Sequence, residues 1–387
     1  MANRGRILAA TFLSCAILPL LASAFHPGQH IPHIPGLLFP GHEGGHLAHP
    51  IFSKPEGESD YDNHPTEQDQ PAPVDGSGNG AQQPEPTQGG ALRVGFYAQS
   101  CPQAEKIVNE VIHKNFRKDP TLAPAIVRLF FHDCFVTGCD ASILLDATPT
   151  GEDVEKKAPH NGIFVRGYEA IDQIKAQLEA ECPGVVSCAD VLAFANRDSL
   201  VYTGVPTYDV AAGRRDGLAS LAKNVEGNIP LPDDTAEEMI QLFQRKGMSL
   251  EELVVLIGAH SIGTAHCTIV AGRFHDPQKA KLIDRGYLIK MQGLTICQNN
   301  TQELPFDPYS QHKMDSHIYT DLLKNKALIE SDQNLASEPH ANGIMKKLVS
   351  DQKGWLAKFV TAINKLGEVE VLTGNQGEIR KQCRAVN

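Results

Sequence analysis

Arg128 and His132 stand four residues apart in the run Arg128-Leu129-Phe130-Phe131-His132-Asp133-Cys134. On a helix that spacing sets both side chains on one face. A guanidinium beside an imidazole can hold a proton on nitrogen and steady a negative charge that builds during a reaction. Burying the cation without such a purpose costs free energy unless it is paired. His260, in Gly258-Ala259-His260-Ser261, lies far along the chain and offers a lone imidazole able to hold a metal such as iron. By itself an Arg–His pair at this spacing is more often a solvated surface pair. The elements around it must decide.

Asp119-Pro120 reads as an N-cap followed by a first-turn proline for the helix that carries the pair. Leu122, Ile126, Leu129 and Phe130 then form an apolar stripe along it. Ser249-Leu250-Glu251-Glu252 is a capping box. Leu253, Leu256, Ile257 and His260 follow at helical spacing, which predicts that His260 lies on the buried face of that helix. Strand signals are few and short, and no internal repeat is visible. The chain reads as an α-rich domain with long loops pinned by disulfides.

Asp133, Asp140 and Ser142 bracket a short loop, Val136 to Cys139. Hard oxygen donors at such close spacing suit calcium. Cys134 and Cys139 are near enough in sequence to close the same loop. Each acid alone would pass for solvated surface; beside the Arg–His pair they read as a metal-braced wall of a site.

The formal charge of −11 argues against nucleic acid and anionic membranes as partners. Residues 1–24 read as a secretory signal. Arg4 and Arg6 give the basic start, Ile7 to Leu21 the apolar run, and Ala22-Ser23-Ala24 the cleavage site. The run is too short to span a membrane. Cys15 leaves with the signal, so nine cysteines become eight, enough for four disulfides in an oxidising compartment. No Cys-x-x-Cys pair suggests a metal site instead, and the pairing itself is not readable from the count. Residues 25–90 are rich in Pro, Gly, Gln and acids, lack Cys and show no helical or strand period, so they read as a disordered extension. Their seven histidines, His26, His30, His33, His42, His46, His49 and His64, could bind metal or serve a plain tether. Residues 91–387 make up the globular part.

The segment Arg128 to Asp146 resembles the distal segment of the secreted plant haem peroxidases, class III. Val186–Asp190, Gly213–Asp216, Gly258–Gly263 and Ser331–Leu335 follow in that family's order. The resemblance runs from Leu92 to Asn387. It implies a mainly α haem-peroxidase fold with minimal β, two helical halves sandwiching one haem b, and four disulfides. It implies that Arg128, Phe131 and His132 form the distal catalytic group, with Arg128 stabilising the transition state and His132 accepting the proton. Asn161 would take the His132 N–H and so keep that imidazole basic. His260 would be the axial iron ligand, and Asp332 the carboxylate that accepts its other N–H. Without the resemblance Asp332 reads as an ordinary loop acid.

Two calcium ions per chain are implied as well. The first would use Asp133, Val136, Gly138, Asp140 and Ser142, with Glu155 in its network. The second would use Ser261, Asp307, Ser310, Lys313 and Asp315, where Ser261 and Ser310 replace the family's usual threonines and Lys313 could serve only through its carbonyl. Pro230, in Ile229-Pro230-Leu231-Pro232, matches the loop that meets aromatic reductants. The implied disulfides are Cys101–Cys182, Cys134–Cys139, Cys188–Cys383 and Cys267–Cys297. Asp190 and Arg214 match a buried ion pair. The sequon at Asn299 suits glycosylation.

The expected activity is reduction of hydrogen peroxide with one-electron oxidation of small phenolic donors, by way of a ferryl porphyrin radical. The expected setting is extracellular, in the apoplast or cell wall, as a monomer, with the His-rich extension available to cell-wall polyanions. The competing reading is a wall-tethered binding module in which the domain is only a scaffold. The Arg128, His132, Asn161, His260 and Asp332 set argues against it.

Overall fold

A computed structural model describes residues 91–387, apart from Gly162, Ile163, Gln298 and Asn300. The predicted signal and His-rich extension therefore lie outside the described residues. Among the described residues there are twelve α-helices. The first four are α1 (Ala104–Phe116), α2 (Leu122–Val136), α3 (Tyr168–Glu181) and α4 (Cys188–Tyr202). Next come α5 (Ala236–Arg245), α6 (Leu250–Ile257), α7 (Cys267–His275) and α8 (Arg285–Leu294). The last four are α9 (His317–Leu323), α10 (Glu330–Ser337), α11 (Pro339–Leu348) and α12 (Gln352–Leu366). The only sheet among the described residues is an antiparallel pair, β1 (Thr264–His266) and β2 (Glu303–Pro305), with Ala265 opposite Leu304. The mainly α fold with minimal β is thus as expected.

Helix α2 carries the Arg–His pair and packs against α4. Its inward stripe includes Ile126, Leu129, Phe130 and Phe135, all buried. Burial of each such side chain contributes about 1.5–3 kcal/mol, which holds the helix in register. Its start differs from the sequence expectation. Leu122 is the first helical residue, and Pro120 stands in the turn before it. Asp119 Oδ1 accepts from the N–H and hydroxyl of Thr121, so its carboxylate closes a local turn instead of capping the helix.

Helix α6 begins as predicted, with the reciprocal bonds of Ser249 and Glu252. It ends earlier than the spacing suggested. Tyr319 Oη donates to the carbonyls of Val254 and Val255, and Trp355 Nε1 donates to Val255. Satisfying these carbonyls from outside lets the chain leave α-geometry. A 3₁₀ turn, Gly258–Ser261, follows, so His260 sits on that turn rather than on the buried face of the helix. Gly258 must be glycine, because a Cβ there would come within 2.5 Å of the Trp355 ring and 2.6 Å of Tyr319 Oη.

The main core joins α1–α4 to α5, α6, α9, α11 and α12, and a second, smaller core gathers Cys267, Val270, Phe274, Met291 and Leu304. Cysteines pair as Cys101–Cys182, Cys134–Cys139, Cys188–Cys383 and Cys267–Cys297, the four pairs that the resemblance implied. Arg214 Nη1 meets Asp190 Oδ1 at 2.8 Å, with both side chains buried. Asp216 accepts the backbone N–H of Cys188, Ala189 and Arg380. Buried Arg380 in turn donates to the carbonyls of Ala141, Cys383 and Gly217. The stretch after α12 is in this way woven into the wall that carries Asp140.

Candidate active site

Arg128 Nε donates to His132 Nε2 at 3.1 Å. His132 Nδ1 lies 2.6 Å from Asn161 Oδ1. The amide oxygen can only accept, so Nδ1 carries the proton and Nε2 presents a lone pair. Asn161, fully buried, uses its own N–H to reach the Glu155 carbonyl at 2.9 Å. Burial pushes the His132 pKa down to about 3, with the Arg128 charge adding to the fall and the Asn161 bond opposing it. His132 is thus neutral near pH 7 and able to take a proton. Arg128 is largely surrounded by protein, which lowers its pKa, yet its side chain keeps open surface. Among the described residues its two terminal guanidinium nitrogens have no hydrogen-bond partner. Phe131 stacks on Phe135 at 4.2 Å and stands 6.2 Å from the His132 ring, an apolar partition beside the pair.

On the other side of the site, His260 Nδ1 donates to the Asp332 carboxylate, at 2.9 Å to Oδ2 and 3.1 Å to Oδ1. Asp332 is buried on α10. That bond fixes the ring and leaves Nε2 free among the described residues. The side chain is 35% exposed, so Nε2 has room for a ligand. Phe306 lies flat against the imidazole, with centroids 4.3 Å apart and planes 6° apart. Sequence reading missed Phe306. Only its place just before Asp307, a candidate calcium ligand, could have drawn notice to it. A neutral imidazole with one nitrogen free and the other on a carboxylate is the donor arrangement that haem iron takes.

The first calcium set also comes together. Asp133 Oδ2 accepts from Ala141 N at 2.9 Å, and Asp140 Oδ1 accepts from Ser142 N at 2.9 Å. Ser142 Oγ meets Thr137 Oγ1 at 3.1 Å. Gly138 holds φ +102°, and a Cβ there would strike the Glu370 carbonyl. The Gly138 carbonyl accepts from Asp140 N, and Lys246 Nζ stands 3.5 Å from the Val136 carbonyl. Among the described residues, both carboxylate oxygens of buried Glu155 lack a hydrogen-bond partner. Burial and the charge of Asp140 raise the Glu155 pKa to about 8 and that of Asp133 well above its usual range. Asp140 is pushed to about 6, chiefly by burial. Three buried acids that disfavour one another's charge, with two orphaned oxygens, fit a hard divalent cation.

The second set is arranged differently. Ser261 Oγ donates to Met314 Sδ at 3.5 Å. Asp307 Oδ1 takes the N–H of Tyr309 and Ser310, and its Oδ2 takes Ser310 Oγ and His317 Nδ1. Asp315 Oδ1 accepts from His317 N, and Lys313 is exposed. The Pro230 carbonyl is free among the described residues. Its loop is tied to α10 by Ser331 N to the Pro232 carbonyl at 2.9 Å. Asn299 is exposed.

Comparisons with known proteins give the family. A family profile described as Peroxidase matches residues 108–351. Peroxidase 5 of Vitis vinifera is 42% identical over 308 residues, which covers 76% of this chain and 92% of the relative. Peroxidase 39 of Arabidopsis thaliana is 40% identical over 307 residues, covering 76% of this chain and 93% of the relative. Peroxidase 57 of the same plant is 40% identical over 300 residues, with coverage of 76% and 93%. The chain belongs to the plant haem peroxidases of class III. It is a haem peroxidase, an enzyme that acts on hydrogen peroxide.

Proposed function

We propose that this peroxidase is secreted and oxidises small phenolic donors one electron at a time, with Arg128 and His132 as its catalytic residues and His260 as the residue that holds haem b. His260 would hold the haem, which would supply the redox chemistry linking peroxide to one-electron donors. His132 Nε2 would take a proton from one peroxide oxygen and return it to the other, which takes the O–O bonding pair and leaves as water. The free guanidinium N–H groups of Arg128 steady the charge on that departing oxygen. Asn161 holds the His132 tautomer for which this transfer is possible. Asp332 draws on the His260 Nδ1–H, so the imidazole donates more strongly through Nε2. The unbonded Pro230 carbonyl supports contact with a phenolic O–H. Asp133, Asp140, Ser142 and Glu155, with the carbonyls of Val136 and Gly138, would hold one calcium behind the distal wall. The four disulfides support an oxidising, extracellular setting.

The observation that carries this reading is the bond order Arg128 Nε to His132 Nε2 and His132 Nδ1 to Asn161 Oδ1. It puts the His132 proton on Nδ1 and leaves Nε2 as an acceptor, held by Arg128 Nε and exchangeable for a peroxide O–H, beside a guanidinium whose terminal nitrogens stay unpaired among the described residues. The test is a visible spectrum of the secreted protein before and after peroxide, followed by turnover of a phenol. A Soret band that shifts with peroxide, and returns as phenol is consumed, is expected. A Soret band with no response to peroxide overturns the roles given to the distal pair. Peroxide response without phenol turnover overturns the donor class alone.

A further inference from the structure

Arg273, on α7, is buried, yet no acid is held to it. Its Nε donates to the Ala327 carbonyl at 3.3 Å. Its Nη2 is buried without a hydrogen-bond partner, and Nη1 makes no hydrogen bond among the described residues. Burial lowers the Arg273 pKa from the usual arginine value, and the nearby charge of Glu330 opposes the fall. Glu330 is itself engaged, 2.6 Å from Lys279 Nζ. A buried guanidinium in this state is costly, because only a counter-charge or full hydrogen bonding offsets its lost hydration.

The Arg273 side chain lines a cavity of about 350 Å³ bounded by α7, the turn before α8, the end of α9 and α10. Four cations, Arg273, Lys279, Lys281 and Lys324, line it against two acids, Asp284 and Glu330. That excess runs against the formal charge of −11 for the whole chain. Both acids have other work. Glu330 pairs with Lys279, and Asp284 caps α8 by taking the Tyr287 N–H at 2.9 Å. Lys281 Nζ reaches only the neutral Gln278 Oε1, and exposed Lys324 makes no side-chain hydrogen bond among the described residues. From α10, buried Gln333 also lines the cavity, and its Oε1 has no donor among the described residues. Its Nε2 is held by Asn325 Oδ1 at 2.9 Å and the Leu322 carbonyl at 3.3 Å, so the amide cannot turn over to hide that oxygen.

An unpaired guanidinium calls for an oxyanion, and an unpaired amide oxygen for a hydroxyl donor. The cavity is far larger than the roughly 30 Å³ share of one water, and it falls at the low end of small-molecule sites, about 300–1,000 Å³. We propose that it binds a hydroxylated oxyanion of monosaccharide size, a sugar acid or a sugar phosphate. The anionic group rests on Arg273 and Lys324, and a hydroxyl serves Gln333 Oε1. Binding is reversible and makes no covalent bond. The inference does not depend on the donor class or on the distal proton transfer.

The experiment is titration calorimetry of the full haem-loaded chain at pH 8 with glucuronate, glucose 6-phosphate and neutral glucose. At that pH the seven histidines between His26 and His64 are largely neutral and add little affinity for anions. At least one of the two anions should bind one to one, and glucose should not. The tighter of the two names the anionic group. Arg273→Gln should weaken that binding roughly 10- to 100-fold, the worth of a hydrogen bond to a charged group. Lys324→Gln changes an exposed side chain, leaves the core alone and should weaken it roughly 2- to 5-fold. A thermal melt of each variant checks the fold, and Lys324→Gln carries the test if Arg273→Gln does not fold. Binding of neither anion overturns the site. So does glucose binding as tightly as the anions, or anion binding that no folded variant weakens.

Discussion

Asn161→Val removes the acceptor from His132 while keeping the side-chain volume nearly constant. Asn161 is fully buried, and the His132 Nδ1–H has no other partner among the described residues. The valine leaves that N–H without an acceptor, while the Glu155 carbonyl that Asn161 now serves keeps only the Ala158 N–H. A buried donor left unsatisfied costs about 1–3 kcal/mol. The bond matters most when His132 carries the transferred proton, so the loss falls on the transition state. At about 1.4 kcal/mol per decade, the reaction with peroxide should slow roughly 5- to 150-fold. Stopped-flow mixing with peroxide at pH 7 reads this rate directly, and a thermal melt checks the fold. Asn161→Asp supplies an acceptor again and should recover most of the rate. Its charge would also raise the His132 pKa above about 3 and move the acid limb of the pH profile upward. A valine variant with a normal Soret band and an unchanged peroxide rate would refute the role given to Asn161.

Other outcomes follow from the same geometry. His132→Ala should keep its Soret band and react with peroxide about 10²–10⁴-fold more slowly, read by stopped flow. In the wild type this rate should stay flat from pH 7 down to about pH 4, then fall as Nε2 gains a proton near the His132 pKa of about 3. Calcium removal should lower the melting temperature more at pH 8 than at pH 5. Without the ion, Asp140 near 6 and Glu155 near 8 are raised above their unfolded values. The ion-free fold is then favoured at low pH and loses stability as pH rises through those values, whereas the loaded site needs the acids ionised. Equal losses at the two pH values would count against a cation between these acids.

The Arg–His pair was legible because a local rule, four residues on a helix, carries it. The capping box of α6 was legible for the same reason. The start of α2 was misread because Asp119 has two local uses, a cap or a turn, and sequence does not rank them. His260 was placed on the wrong kind of turn because Tyr319 and Trp355, remote in sequence, take the carbonyls that would have extended α6. Asp332 was visible only through resemblance, and Phe306 and Arg380 not at all, since each acts on residues far off in the chain. Nothing in the sequence announces that Arg273 and Gln333 line one cavity.

The weave around Arg380 sets an order of events during synthesis. The guanidinium of Arg380 holds the Ala141 carbonyl, and the Ala141 amide holds Asp133, the neighbour of His132. Cys188 is bonded to Cys383, 195 residues later. The wall behind the distal pair therefore lacks its last supports until residues 380–383 have left the ribosome. Helices α1–α4 can gather earlier through their own apolar contacts, since such local assembly needs no distant partner. A nascent chain halted before Arg380 would hold an Arg–His pair on a helix without a finished cleft around it. The capacity to handle peroxide would then arrive late, after translation has passed nearly every other element of the domain.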